Sequence, residues 1–161
     1  MIKTFANKFK NADEAFQYWY QCIEHYGQDF AGTKALFNVG FQMDNPTNNI
    51  IRATWRKWKH DYAKAEWQWY ESNDRNIKKL GELYGKVPAI WKRMADDHGN
   101  VNSNYGYQWS RNSQLDYVIE KLRRDPSTRQ ATVSIYDGKE HSLYKNDTPC
   151  TYAIQFTVVN N

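Results

Sequence analysis

The sequence predicts an α+β fold, and two patterns support that prediction. Apolar residues recur at helical spacing through most of the first two-thirds of the chain, whereas they alternate in short segments near both ends. The chain has 161 residues, which is a typical length for one compact domain, and no repeat or Pro/Gly-rich linker divides it. We therefore predict a single domain over residues 1–161, in which helices pack against strands.

The first helix is predicted to begin after Asn11, because Asn11 is followed three residues later by Glu14 as in an N-terminal capping pair. Gly27 follows its last turn. Its apolar face at i, i+3, i+4 and i+7 consists of Phe16, Trp19, Tyr20 and Ile23. A strand is predicted next, from Lys34 to Met43.

A long helix is predicted from about Asn49 to Ser72, because apolar residues follow one another there at steps of three and four. This stripe consists of Ile51, Trp55, Trp58, Tyr62, Ala65 and Trp69. Glu66 interrupts the pattern and places a carboxylate beside the stripe. The tryptophans interleaved with basic residues at Trp55–Lys59 could form a platform for single-stranded nucleic acid, but helical spacing favours an inward, core position for them.

Five later segments complete the predicted order of elements. They are a short helix within Glu82–Trp91, a loop over Asn100–Tyr107, a helix capped by Ser113 and ending at Asp125, a strand over Ala131–Tyr136 and a strand over Thr151–Val159. The last strand runs into Asn160-Asn161 without a partner strand, so we expect a truncated polypeptide.

Composition narrows the function classes. The net charge of +4 is too mild and too evenly spread to indicate a nucleic-acid binder, because a small phosphorylated ligand fits it equally well, and we expect no nucleic-acid partner. No apolar run approaches the length of a membrane span, and the N-terminus lacks a secretory pattern, so we expect a soluble, cytoplasmic protein without a membrane partner. Cys22 and Cys150 are expected to be reduced thiols, and the scattered histidines predict no metal site.

Three residues could contribute to catalysis or binding, and each also has a purely structural interpretation. Cys150 follows a proline at a strand entrance, so it is either a presented nucleophile or a buried core cysteine. Glu66 is either a proton-exchanging group with a raised pKa or a structural carboxylate that extends to solvent or pairs with a lysine. Arg129 follows a turn before a strand, where it either binds phosphate or is an ordinary surface arginine.

Four stretches of the chain share their order and intervals with one known family. They are Gly32-Thr33 through Gly40-Phe41-Gln42-Met43; Glu66-Trp67-Gln68-Trp69-Tyr70 with Ile90-Trp91; Asn104-Tyr105-Gly106-Tyr107-Gln108-Trp109; and Asp125-Pro126 with Arg129, then Pro149-Cys150 and Gln155-Phe156. Together they resemble the thymidylate synthase family, which includes the phage-type deoxycytidylate and deoxyuridylate hydroxymethylases. The resemblance implies a mixed sheet packed with helices, here incomplete at the C-terminus.

The resemblance also implies a reaction and a role for each site residue. Cys150 would add as a thiolate to C6 of a pyrimidine deoxynucleoside monophosphate, which makes C5 nucleophilic toward the one-carbon unit of 5,10-methylenetetrahydrofolate. Glu66 would organise proton transfer, and Tyr105 would line the catalytic site. Trp91 would pack near the folate, and Arg129 would bind the nucleotide phosphate from the neighbouring subunit of a homodimer.

Several positions depart from the family pattern. Gln130 and Phe30-Ala31 stand where phosphate-binding arginines are common, and Thr151 stands where thymidylate synthases often have a histidine, which favours a hydroxymethylase. The family's C-terminal part has no counterpart here. We therefore expect impaired activity and a need for a complementing C-terminal segment or a second copy. A catalytically silent assembly or regulatory module is the alternative.

Overall fold

A computed structural model of the protein describes residues 7–159, and the chain divides into two compact units, Met1–Lys59 and His60–Asn161. Both units combine helices with short strands, so the α+β class is confirmed. The single domain over residues 1–161 stays a prediction. Within the described residues, no helix has the length and apolar content needed to cross a membrane.

The first unit contains helix α1 (Ala12–Tyr26), whose predicted start is confirmed. The Asn11 side chain accepts a hydrogen bond from the Glu14 backbone N–H at 3.0 Å, and the Glu14 carboxylate accepts one from the Lys10 N–H at 2.7 Å. The first bond satisfies a backbone donor that the first helical turn leaves unpaired, and the second fixes the backbone just before the N-cap. The acidic first turn also suits the positive end of the helix dipole.

The predicted strand from Lys34 to Met43 is two short strands in the structure. Strand β2 (Gln28–Phe30) pairs antiparallel with β3 (Thr33–Ala35), and β1 (Asn7–Phe9) pairs parallel with β4 (Phe41–Met43). Asn38 separates β3 from β4, because its φ of 56° cannot continue an extended strand. Whereas the family resemblance implies one mixed sheet, the described strands form three separate pairs.

The long helix predicted from Asn49 is wrong in its first half: α2 spans only His60–Glu71. The Asp13 carboxylate accepts hydrogen bonds from the backbone N–H groups of Arg52 and Ala53, at 2.7 and 3.1 Å, so these donors are not available to a helix. Lys57 then adopts a left-handed φ of 50°. Trp55 packs against α1 instead, although it remains 49% exposed.

The second unit has two hydrophobic clusters. The first joins α2 to α3 (Ile77–Tyr84) and α4 (Ala89–Met94), which Gly85 and Pro88 separate where one short helix was predicted. The predicted inward positions of Ala65 and Trp69 are confirmed, since they are 4% and 0% exposed. The cluster is centred on Ala65, Trp69, Leu80 and Val101.

Helix α5 (Tyr105–Ser110) begins inside the segment predicted as a loop, because Asn104 caps it by accepting the Tyr107 N–H at 2.9 Å. Helix α6 (Gln114–Arg124) ends at Asp125 as predicted, but Ser113 has a φ of 54° and makes no side-chain cap bond. The second cluster joins α6 to strands β5 (Thr132–Ser134) and β6 (Ala153–Gln155). It is centred on Val118, Ala131, Val133 and Ile135.

Candidate functional site

Cys150 is exposed in the segment that leads into β6, next to the buried Pro149, and its thiol is free. The backbone N–H groups of Cys150 and Thr151 donate to the Tyr105 hydroxyl oxygen at 2.8 and 3.3 Å. The Tyr136 hydroxyl donates to the Pro149 carbonyl at 2.7 Å. The backbone is therefore held on both sides of the thiol, and the alternative of a buried core cysteine does not apply.

Asp147 fixes the same segment from the other side. Its carboxylate accepts the backbone N–H groups of Asn102 and Ser103, both at 2.7 Å, and the Ser103 hydroxyl at 2.8 Å. The Asn102 side-chain amide in turn donates to the Asp147 carbonyl at 2.7 Å. Because Asp147 is 8% exposed, these bonds replace its hydration and tie the Cys150 segment to the turn before α5.

Glu66 is half-buried and forms its hydrogen bonds with aromatic side chains. The Tyr62 hydroxyl donates to Glu66 Oε1 at 2.5 Å, and the Trp91 indole N–H donates to the Tyr62 oxygen at 2.7 Å. Trp91 also packs edge-on against Trp69, with ring centroids 5.3 Å apart. The predicted carboxylate beside an aromatic stripe is thus present, and it bonds to tyrosine hydroxyls, whereas the structural alternatives were extension to solvent or pairing with a lysine.

Burial raises the pKa of Glu66 because the charged carboxylate loses hydration, while the hydroxyls of Tyr62 and Tyr70 stabilise the charge and oppose that rise. Burial and the neighbouring carboxylate together raise the pKa of Tyr62 and of Tyr70, so both phenols stay protonated. The Glu66 carboxylate can therefore exchange a proton while the phenols of Tyr62 and Tyr70 remain hydrogen-bond donors to it.

An aromatic path joins Glu66 to the cysteine segment. Tyr70, one turn after Glu66 on α2, packs edge-on against Tyr105 with ring centroids 5.6 Å apart. Gly106 permits this approach of α5 to α2, because a Cβ there would lie 1.6 Å from the Tyr70 carbonyl oxygen. Of the five predicted site residues, the structure thus links four along one continuous set of contacts: Trp91, Glu66, Tyr105 and Cys150.

Arg129 is the fifth, and a single chain does not bring it to Cys150. In the β5–β6 pair, the Phe156 N–H donates to the Ala131 carbonyl, which places Arg129 beside the far end of β6. Cys150 lies six residues before Phe156, so roughly 20 Å of extended chain separates the two ends. The exposed Arg129 lines a surface recess of about 440 Å³ with Lys121, Asp125, Ser127, Thr128 and Gln130.

Three residues of this site have no role predicted from the sequence: Tyr62 as a partner of Glu66, Tyr70 and Asp147. The two tyrosines lie four residues before and four after Glu66. That spacing places their side chains on one helix face with the carboxylate, and it could have identified them. Asp147 gives no such signal, since its partners are 44 and 45 residues away in the chain.

Comparison with known proteins gives consistent matches. A family model described as thymidylate synthase matches residues 21–161. The deoxycytidylate 5-hydroxymethyltransferase of Enterobacteria phage T4 is 29% identical over 106 residues, which cover 61% of this chain and 42% of that protein. The thymidylate synthases of Fusobacterium nucleatum subsp. nucleatum and Wigglesworthia glossinidia brevipalpis are 30% and 32% identical, over 80% and 81% of this chain. The chain spans about half the length of these two relatives, 47% and 50%.

Proposed function

From the chain's membership of the thymidylate synthase family, we propose that it acts in one-carbon transfer to C5 of a pyrimidine deoxynucleoside monophosphate, as a methyltransferase or a hydroxymethylase. One observation carries the proposal. The exposed Cys150 lies before β6, its backbone N–H donates to Tyr105, and ring contacts lead from Tyr105 to the half-buried carboxylate of Glu66. A nucleophile and a separate acid–base group are the minimum that such a reaction needs.

In this proposal the Cys150 thiolate forms a bond to C6 of the pyrimidine, and the electron pair of the C5–C6 double bond becomes available at C5. After the one-carbon unit is added at C5, loss of the C5 proton would expel the folate nitrogen and leave an exocyclic methylene group at C5. Hydride from the folate, which gives a methyl product, or water, which loses a proton and gives a hydroxymethyl product, would then add to that methylene. The electrons returning to the C5–C6 bond would expel the Cys150 thiolate and restore the ring. The Tyr105 oxygen accepts the N–H groups of Cys150 and Thr151, so its own hydroxyl proton remains to donate toward the ring. Glu66 exchanges protons through water with the ring and the folate nitrogen.

The proposed carbon donor is 5,10-methylenetetrahydrofolate, which when bound supplies a one-carbon unit at the methylene level. The residues of α4 fit a flat, partly apolar molecule. Ile90 is 44% exposed, and the indole N–H of the neighbouring Trp91 is already bonded to Tyr62. Trp91 thus offers its ring, without an unpaired donor, as the surface against which the folate packs.

Phosphate binding by Arg129 is proposed to occur at the site of a second copy of the chain. The separation of Arg129 and Cys150 supports this, because the pairing of β5 with β6 places them at opposite ends of β6. The exposed guanidinium has no ion pair among the described residues. It is therefore free to bind a phosphate in the bidentate manner that arginine favours.

Turnover tests the proposal directly. Deoxyuridylate and deoxycytidylate, each tritiated at C5, are incubated with the protein and the folate, and tritium released to water is counted. We expect release from one of them, its loss in Cys150→Ser, and its retention in Cys22→Ser. Absence of release from both nucleotides by the folded protein would contradict the proposed activity and favour a silent assembly module.

Mixing two inactive variants tests the shared site. Cys150→Ala lacks the nucleophile and Arg129→Ala lacks the phosphate ligand. In a heterodimer, one site combines an intact Cys150 with an intact Arg129 from the other subunit, so the mixture should regain about a quarter of the wild-type rate. A mixture as inactive as its components would contradict the sharing of Arg129.

A further inference from the structure

Tyr62 has a hydroxyl group whose hydrogen-bonding capacity is used in both directions. Its oxygen accepts the Trp91 indole N–H at 2.7 Å, and its proton is donated to Glu66 Oε1 at 2.5 Å. Its ring packs edge-on against Tyr84, with centroids 5.3 Å apart. A phenol has one proton to donate, and here both the ring and the hydroxyl rotor are fixed by neighbours from α2, α3 and α4.

We propose that Tyr62 is a positioning residue that couples the environment of the Trp91 indole to the carboxylate of Glu66. The proposal deepens the proposed function and rests on it, since Trp91 is the residue against which the folate packs. Occupation of that surface would then be transmitted to the acid–base group through two hydrogen bonds, without a change of fold.

The coupling follows from how hydrogen bonds polarise one another. A donor to the Tyr62 oxygen withdraws electron density and makes the Tyr62 proton a stronger donor to Glu66. This matches the charge effects in the structure, because the Trp91 bond lowers the pKa of Tyr62 while the Tyr62 bond lowers the pKa of Glu66. A change in the Trp91 bond therefore changes how well the Glu66 charge is stabilised.

Among the described groups that face Glu66, Tyr62 is the one that bonds to a residue of α4. On α2 itself, Tyr62 and Tyr70 face the carboxylate. From other elements, Tyr84 of α3 and Trp91 of α4 contact Tyr62, while Tyr105 of α5 and Asp147 act on Tyr70. Among the described residues, no lysine or arginine contributes to the shift at Glu66, so no cation masks the effect of the phenol.

The helix geometry explains why the coupling needs residue 62. Tyr62 and Glu66 are four residues apart on α2, so their side chains lie on the same face. The length of the tyrosine ring carries its hydroxyl to both the carboxylate and the α4 tryptophan. Phenylalanine would fill the same volume and leave the Trp91 N–H and the carboxylate without their shared partner.

The test compares Tyr62→Phe with Tyr84→Phe, which loses a neighbouring hydroxyl that does not bond to Glu66. The intact chain is labelled with 13C-carboxyl glutamate and 5-fluorotryptophan, and Glu66→Gln and Trp91→Phe assign the two resonances. In wild type and in Tyr84→Phe, the fluorine signal of Trp91 should shift with pH together with the Glu66 carboxyl signal. In Tyr62→Phe, the Glu66 titration should move to higher pH, and the Trp91 signal should stop following it.

A second variant keeps the proposal testable if Tyr62→Phe folds poorly. Trp91→Phe removes only the first bond, and it should move the Glu66 titration in the same direction by a smaller amount. Unchanged Glu66 titration in both variants, or a Trp91 signal that ignores Glu66 in wild type, would overturn the proposal. Because these measurements need no turnover, coupling without tritium release would contradict the proposed activity alone.

The pH profile of kcat/KM adds the functional readout. The ascending limb should move to higher pH in Tyr62→Phe, in parallel with the NMR titration, and stay in place in Tyr84→Phe. A uniform loss of rate at all pH values would indicate a merely structural role for Tyr62 and contradict the coupling.

Discussion

Replacing Asp147 with alanine should loosen the segment that holds Cys150. The carboxylate is 8% exposed and accepts three hydrogen bonds, two of them from backbone N–H groups at 2.7 Å. Hydrogen bonds to a charged group contribute about 1.5–3 kcal/mol each, and a buried donor left unsatisfied loses a similar amount. Ser103 is buried, while Asn102 is half-buried and can bind water in the variant.

We therefore expect Asp147→Ala to lower the free energy of unfolding by about 3–4 kcal/mol, since the bond to the buried Ser103 N–H is lost fully, while the Ser103 hydroxyl can rotate and the Asn102 N–H can bind water, so that these two bonds are lost only in part. Urea unfolding followed by tryptophan fluorescence measures this loss. Asp125→Ala is the matched control, because Asp125 also accepts a serine N–H and hydroxyl, from Ser127, but in an exposed turn. The control should lose about 1 kcal/mol or less.

Asp147→Ala should also raise the rate at which the Cys150 thiol reacts. In a Cys22→Ser background, Cys150 of the Asp147→Ala variant should react faster with a disulfide reagent, because its segment has lost the bonds to Asn102 and Ser103. A loss of stability below about 0.5 kcal/mol in Asp147→Ala, or one equal to that of Asp125→Ala, would refute the reasoning that buried carboxylate bonds hold this segment.

Three further predictions test other contacts. Gly106→Ala should destabilise the protein by roughly 3 kcal/mol or more in urea unfolding, because its Cβ would lie 1.6 Å from the Tyr70 carbonyl oxygen; a neutral effect would contradict the close helix approach. Glu66 has a raised pKa in the folded state, so its contribution to stability is full at acidic pH and lost as pH rises through that pKa. Glu66→Gln should therefore melt at a higher temperature than wild type at pH 8, with a smaller difference near pH 4; the reverse trend would contradict the burial. Tyr105→Phe should lose about 1 kcal/mol of stability and reduce turnover by roughly ten- to a hundredfold, and unchanged turnover would exclude Tyr105 from the site.

The parts of the fold that could be predicted from the sequence are those fixed by local interactions. The Asn11–Glu14 capping pair acts within one helical turn, so the start of α1 follows from the residues themselves. The inward positions of Ala65 and Trp69 follow from helical periodicity in the same way. Likewise, Glu66 could be recognised as unusual because it interrupts a regular apolar stripe.

The wrong predictions of secondary structure concern segments whose conformation depends on residues far away in the sequence. The predicted helix at Asn49 fails because Asp13, about forty positions earlier, binds the backbone of Arg52 and Ala53. The start of α5 was missed although Asn104 is a good capping residue, because the neighbouring asparagines and Gly106 are typical of a loop. Propensity favours a loop there, whereas packing against α2 favours a helix.

The candidate site likewise has a part that follows from the sequence and a part that does not. Motif order placed Cys150, Tyr105, Glu66 and Trp91 in one hypothesis, and the structure links them through hydrogen bonds and ring contacts, with Cys150 joined by its backbone N–H. Arg129 was predicted to act from the neighbouring subunit, and this stays a prediction; within one chain, antiparallel pairing of β5 with β6 places Arg129 and Cys150 at opposite ends of β6.

Covalent trapping of Cys150 tests the central claim most directly. A nucleotide with fluorine at C5 can form the thiolate adduct but cannot lose a proton from C5, so the adduct should accumulate in the presence of the folate. Mass spectrometry of the digested protein should then find one nucleotide on the peptide that contains Cys150, and none on the peptide with Cys22. An unmodified Cys150 peptide from folded protein, under saturating nucleotide and folate, would contradict the assignment of this thiol as the nucleophile.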